Sequence, residues 1–247
     1  MSRGLGDVYK RQLLNRRIMA GTKNFLKEPA MSEEQLTQAV YTGMNVVKSC
    51  KEQGYQLLAT GEMGIGNTTT STALACILLD LNPQEVTGRG AGLDNAGLKR
   101  KTEVIAEAQY LYTKYKENPL CLLQQIGGLD IAGLVGVFLG GALYRIPVIV
   151  DGVISAVAAL IAVSVFPAAR AFIIASHQGK EPAMKALLKA LEKEAVLFAE
   201  LALGEGTGAV MLFPLLDMAM RVYRENTTFE DIPVSYTHLR AHETCAD

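Results

Sequence analysis

A chain of 247 residues that is 49% hydrophobic and 20% charged can fill a sizeable core and lacks the apolar-poor, highly charged composition of a disordered chain. A net charge of −1 argues against nucleic-acid binding through a generally basic surface. Four scattered cysteines (Cys50, Cys76, Cys121, Cys245) form no CxxC pair, so they read as buried thiols in a reducing compartment, not a disulfide framework or zinc site.

Both ends stand apart. Residues 1–12, MSRGLGDVYKRQ, have no apolar stretch of the signal-peptide kind. Residues 233–247, PVSYTHLRAHETCAD, break from the pattern before them and resemble, like VYKRQ, translated adapter sequence. Both are set aside as non-native. His238, His242 and Cys245 of the tail are therefore not assigned as metal ligands, and 13–232 is expected to be one α/β domain, incomplete at its N-terminus.

Within that domain Ser32 and Gln35 form a capping box for a helix over 33–53. Gly54 stops it, and a short apolar strand at 55–60 runs into a glycine turn. A Thr- and Ala-rich helix follows over 67–81. The loop TGRGAG (87–92) leads to Asp94, the expected N-cap of a helix over 95–117, with Pro119 beyond its end. Residues 121–144 are apolar and glycine-dotted, one or two buried helices. IPVIVDG (146–152) reads as a buried parallel strand ending in a carboxylate. A helix at 153–166, a strand at 170–177 and a helix over 182–200 come next, the last on the spacing of Met184, Leu187, Leu188 and Leu191. The glycine loop LGEGTGA (203–209) opens a final helix at 209–224.

Strands alternating with helices imply an open, mostly parallel sheet wrapped by helices, a Rossmann-like three-layer α/β fold with remnants of a small helical domain. The charge-free run between Asp151 and Arg170 is 18 residues, near the minimum for a membrane span, but it is Ala-rich, carries Pro167 and is flanked by strands. A buried crossover helix fits better.

Three glycine loops are candidates for chemistry. Gly61 to Thr69 joins a strand to a helix, where backbone N–H groups and the helix dipole favour an anion. Its spacing resembles a Walker A loop with Asn67 in the lysine's place, and it lacks the third glycine of a dinucleotide fingerprint. A ligand-free βα turn is the bland alternative. Lys99, Arg100 and Lys101 oppose the dipole of their helix, which an anion would offset, although an ordinary basic face is the simpler account. Glu205, a lone carboxylate between glycines and apolar flanks, is expected in surroundings that raise its pKa and suit it to proton transfer; a surface turn is the alternative. Asp151 and His177 each follow a strand, where open parallel sheets bind ligands, and His177 can equally be structural.

GEMGIGNTTT, GRGAGLDNAGLKRK, GGLDIAGL, PVIVDG, the pattern SHxxxEP and LGEGTGA occur in that order across roughly 18–231. Together they resemble the nicotinate-nucleotide–dimethylbenzimidazole phosphoribosyltransferases of cobalamin lower-ligand assembly. The resemblance implies transfer of ribose 5-phosphate from nicotinate mononucleotide to 5,6-dimethylbenzimidazole, with inversion at C1′ and no metal or organic cofactor. It implies Glu205 as general base and Glu62 at the reaction centre. The loop Gly64, Ile65, Gly66, Asn67 and Thr68 would hold the 5′-phosphate with Lys101, and Leu203 would lie against the base, with Asp151 and Gly204 also in the substrate site. It further implies a cytoplasmic homodimer acting on small molecules, with neither nucleic acid nor membrane as partner. The chain departs from the family pattern in lacking the N-terminal portion that builds much of the base pocket, and in carrying Gly179 and Ala183 where many members have Ser and Gly. A nucleotide-phosphate-binding module without transferase activity is the alternative function.

Overall fold

The computed structural model describes residues 13–201 and 203–226, so the segments 1–12 and 233–247 set aside above lie outside the described residues. Two compact units are present, Met1–Met211 and Leu212–Asp247. The first unit holds every candidate residue. Its helices are α1 (Glu33–Glu52), α2 (Thr68–Leu79), α3 (Pro83–Val86), α4 (Asn95–Tyr112), α5 (Pro119–Ile126), α6 (Leu129–Leu143), α7 (Val153–Val165) and α8 (Met184–Ala190). Its strands are β1 (Leu58–Ala59), β2 (Val148–Val150) and β3 (Ile173–Ala175). A further helix, α9 (Thr207–Glu225), starts in the first unit; its later part, with Pro214 and an Arg221–Glu225 ion pair of 2.8 Å, belongs to the second.

The helix starts stand where their capping residues put them. Ser32 Oγ accepts from Gln35 N (3.1 Å) while Gln35 Oε1 accepts from Ser32 N (2.9 Å), and Asp94 accepts from Gly97 N at 2.7 Å. Asn118 caps α5, with Pro119 at its first position. The apolar stretch 121–144 resolves into two helices at Gly127 and Gly128. α1 and α6 meet along glycines, closely enough that a Cβ on Gly43 would lie 2.0 Å from the Gly133 carbonyl oxygen.

The sheet is parallel, in the order β1-β2-β3, with Ala59 beside Ile149 and Val150 beside Ala175. It is an α/β arrangement, but smaller than the expected three-layer sheet, because each expected strand pairs over only two or three residues. Helices supply most of the core. The apolar run after Asp151 is α7, buried continuously from Val153 to Val163 and packed against α2, α6 and α8, as a helix apolar on every side requires. Among the described residues no helix is long and apolar enough to cross a membrane.

Two expected elements shrink. The strand expected at 170–177 begins as a 3₁₀ turn over Pro167–Phe172. The helix expected over 182–200 ends at Ala190: Glu192 adopts φ 54°, and Val196 and Leu197 turn back to donate to the Ser176 carbonyl. The apolar spacing that favoured a helix ends at Leu191, and an unpaired backbone edge beyond β3 claims the residues after it. Of the cysteines, Cys76 is buried, which pushes its thiol up to about 12, whereas Cys50 and Cys121 are only half-buried.

Candidate active site

Glu62, Asp151 and His177 each follow one of three adjacent parallel strands, so all three stand at the carboxyl edge of the sheet, where such sheets bind ligands. They line one cleft of about 720 Å³, partly open to solvent, together with Gly64, Thr68, Leu203 and Gly204.

The loop after β1 turns through two left-handed glycines, Gly64 at φ 75° and Gly66 at φ 84°, a conformation that glycine adopts at no steric cost. Glu62 Oε2 organises it, accepting from Gly64 N and Asn67 Nδ2, both at 2.5 Å. Asn67 stands at the N-cap of α2, yet its side chain makes no capping bond: Nδ2 bridges Glu62 and, at 2.7 Å, Asp130. The first amides of α2 are thus left without a side-chain acceptor, which favours an anion there.

Lys101 approaches from beneath. Of three consecutive cations it alone is buried, at 5% exposure, and its Nζ donates to Thr68 Oγ1 (3.0 Å) and Gly88 O (2.9 Å). Burial pushes this ammonium below its usual range, with Glu181 acting in the opposite sense. The basic-face account of residues 99–101 therefore holds for Lys99 and Arg100, which are exposed, and not for Lys101.

The loop before α9 is clasped to the loop after β1. Glu205 N donates to Glu62 O at 2.9 Å, and Gly61 lies so near Gly206 that a Cβ on it would be 2.6 Å from Gly206 N. Buried Asp151 fixes the other side, its Oδ2 and Oδ1 accepting from Gly206 N (3.1 Å) and Ala209 N (3.0 Å) at the start of α9. These bonds satisfy amides at the start of the helix. Both oxygens of Asp151 are thus engaged in positioning the loop.

Glu205 is the one non-glycine in a left-handed run, at φ 56° between Gly204 at 75° and Gly206 at 84°. Its side chain is exposed and does not line the cleft, so the expected apolar enclosure is not present around it. The carboxyl that burial does act on is Glu62, raised above the usual range by desolvation and further by nearby Asp130 and Asp151, against the bonds from Asn67 and Gly64. Ile65, Gly66 and Asn67 face away from the cleft, into a shallow depression shared with Thr70, Gly128 and Asp130. The expected cradle is therefore two-faced, with Gly64 and Thr68 on the cleft side. Asp130 and Glu181 were not assigned from the sequence; their positions in GGLDIAGL and SHxxxEP were the only signals. Among the described residues no group of three or more His, Cys, Asp or Glu is placed to hold a metal ion.

A family model described as phosphoribosyltransferase matches residues 4–234. The chain belongs to that family. It is 42% identical over 228 residues to the nicotinate-nucleotide–dimethylbenzimidazole phosphoribosyltransferase of Clostridium acetobutylicum, covering 92% of this chain and 65% of that protein. It is 46% identical over 219 residues to the Pseudomonas putida F1 protein of the same name, covering 89% of this chain and 62% of the relative. The crystal structure of CobT from Thermus thermophilus superposes with a TM-score of 0.83 at 37% identity, covering 89% of this chain and 65% of that one. This family member thus spans slightly less than two thirds of the length of these relatives.

Proposed function

We propose that this chain carries the nucleotide-binding part of a nicotinate-nucleotide–dimethylbenzimidazole phosphoribosyltransferase. The observation that carries the reading is the convergence of two carboxylate-bearing glycine loops, clasped backbone to backbone, with a buried ammonium beneath the helix start beside them. The 5′-phosphate of nicotinate mononucleotide is received by the loop from Gly64 to Thr68, and the Lys101 charge supports it from below. Ribose C1′ then comes near Glu62, whose ionised form would stabilise the oxocarbenium-like sugar as nicotinate leaves. A ring nitrogen of 5,6-dimethylbenzimidazole attacks from the opposite face and inverts C1′. Glu205 takes the proton from the other ring nitrogen as the bond forms, which avoids a cationic product. The products are α-ribazole 5′-phosphate and nicotinate. Leu203 contributes apolar surface to the acceptor base, and Asp151 holds the Glu205 loop in place.

A second reading, nucleotide binding without transfer, is favoured by the exposure of Glu205 and by the openness of the acceptor side, where Leu203 is 71% and Met63 61% exposed. Mixing the chain with nicotinate mononucleotide and following nicotinate release, with and without 5,6-dimethylbenzimidazole, separates them. Release that depends on the acceptor supports the transferase. Binding without release supports the second reading, and no binding overturns both.

A further inference from the structure

His177 lines the cleft, yet the proposed reaction leaves it without a task. It is 4% exposed, and its Nδ1 lies 2.9 Å from Ser176 Oγ. Ser176 Oγ in turn lies 2.6 Å from the Val150 carbonyl oxygen. A serine hydroxyl has one proton, and two oxygens approach that closely only with a proton between them. Ser176 therefore donates to Val150, and its oxygen must accept from an Nδ1–H group. Burial lowers the affinity of the imidazole for a second proton, against the pull of Asp151. Nε2 is then a bare lone pair, able to accept a hydrogen bond and unable to donate one.

The surroundings hold the ring in this pose. A Cβ on Gly208 would come within 2.0 Å of Nδ1, so the start of α9 lies flat against the imidazole. Ser176 is pinned in turn, its carbonyl accepting from Val196 N (3.1 Å) and Leu197 N (2.9 Å). Nε2 points the other way. The place of a Cβ on Gly179 is 3.4 Å from it, Gly179 also lines the cleft, and Nε2 has no hydrogen-bond partner among the described residues. An unpartnered acceptor at a ligand cleft is a place for a donor on the ligand.

We propose that His177 Nε2 accepts a hydrogen bond from a ribose hydroxyl of the bound nucleotide, an assignment that rests on the nucleotide reading above. Phosphate and carboxylate oxygens are acceptors and would be repelled by the lone pair. The ribose hydroxyls are the ordinary donors of nicotinate mononucleotide, while the benzimidazole N–H is the proton that the general base removes. An acceptor-only site of this kind selects ribose over deoxyribose, because a ligand without the hydroxyl displaces water from Nε2 and returns no donor.

Nitrogen NMR of the 247-residue chain labelled with ¹⁵N-histidine, with His177→Gln identifying the signal, tests the assignment. Before ligand is added, Nδ1 is expected to carry the proton and Nε2 none. Nicotinate mononucleotide should move the Nε2 signal, and either its 2′-deoxy or its 3′-deoxy analogue should not. That analogue should bind about tenfold more weakly to the unaltered chain. In His177→Leu the ribose and deoxyribose forms should bind alike, whereas His177→Gln, with an amide oxygen available near the place of Nε2, should restore part of the difference. A merely structural histidine would weaken all these ligands equally. A protonated Nε2 at rest overturns the assignment, and so does a nucleotide that shifts the Gly64 and Gly66 amides yet leaves Nε2 unmoved. Unmoved amides overturn the nucleotide reading itself, and this assignment with it. If His177→Leu fails to fold, the signals of the unaltered chain still decide the matter.

Discussion

Lys99, Arg100 and Lys101 are adjacent in one helix, and only Lys101 leaves the solvent, to reach the hydroxyl of Thr68 at the start of α2. Lys101→Ala is expected to weaken nicotinate mononucleotide binding by about 1–3 kcal/mol, the range of a charge-assisted contact, and to leave the unphosphorylated riboside unaffected. Titration calorimetry with both ligands checks this, and equal losses would place Lys101 in the fold instead. Glu62 makes a prediction about pH. Its carboxyl is raised above the ordinary value of 4.5, chiefly by burial, so the folded state holds its proton more tightly than the unfolded chain does. The stability this contributes is complete below pH 4.5 and is lost as pH rises through the folded value. Glu62→Gln should therefore raise the melting temperature at neutral pH, with the gain shrinking as pH falls through the folded value and gone below pH 4.5; a gain independent of pH would contradict this. For Glu205, base catalysis of about 10²–10⁴-fold sets the expected fall in turnover of the transfer reaction for Glu205→Gln, with nucleotide affinity hardly changed. Near-normal turnover at saturating substrate would remove Glu205 from the chemistry.

The loop before α9 owes its shape to other elements. Asp151, at the end of β2, accepts from the amides of Gly206 and Ala209, and Gly61, after β1, touches Gly206 backbone to backbone. Two strand ends thus set the backbone of the residue proposed as base. Asp151→Ala should cost about 1–3 kcal/mol of stability, because two helix-start amides lose a buried charged acceptor. Hydrogen exchange at Gly206 and Ala209 should accelerate before that of the α7 amides; uniform acceleration would indicate general destabilisation. The capping residues of α1, α4 and α5 could be identified in the sequence because a cap acts within three residues of its helix. The end of α8 could not, since it is decided by the free edge beyond β3, to which Val196 and Leu197 return just after the helix.

Across the first unit, the cleft has a polar floor and an open apolar rim, with Met63 and Leu203 exposed. A chain that matches 65% of the Clostridium acetobutylicum relative and has an open rim is expected to bind nicotinate mononucleotide, yet to turn over far more slowly than that relative. Side-by-side nicotinate-release assays check this, and equal turnover would show that the open rim suffices for the acceptor. The sequence by itself determined the family, the order of the three glycine loops, most helix positions and the parallel strand ends that present Glu62, Asp151 and His177, because these follow from local spacing, capping and turn chemistry. Tertiary structure alone decided which of three neighbouring cations is buried, that Asn67 bridges two carboxylates instead of capping α2, that Asp151 spends both oxygens on the α9 start, and that burial acts on Glu62 while Glu205 is exposed. Burial and hydrogen-bond partners depend on segments remote in the chain that fold over a residue, and no local pattern records which those will be.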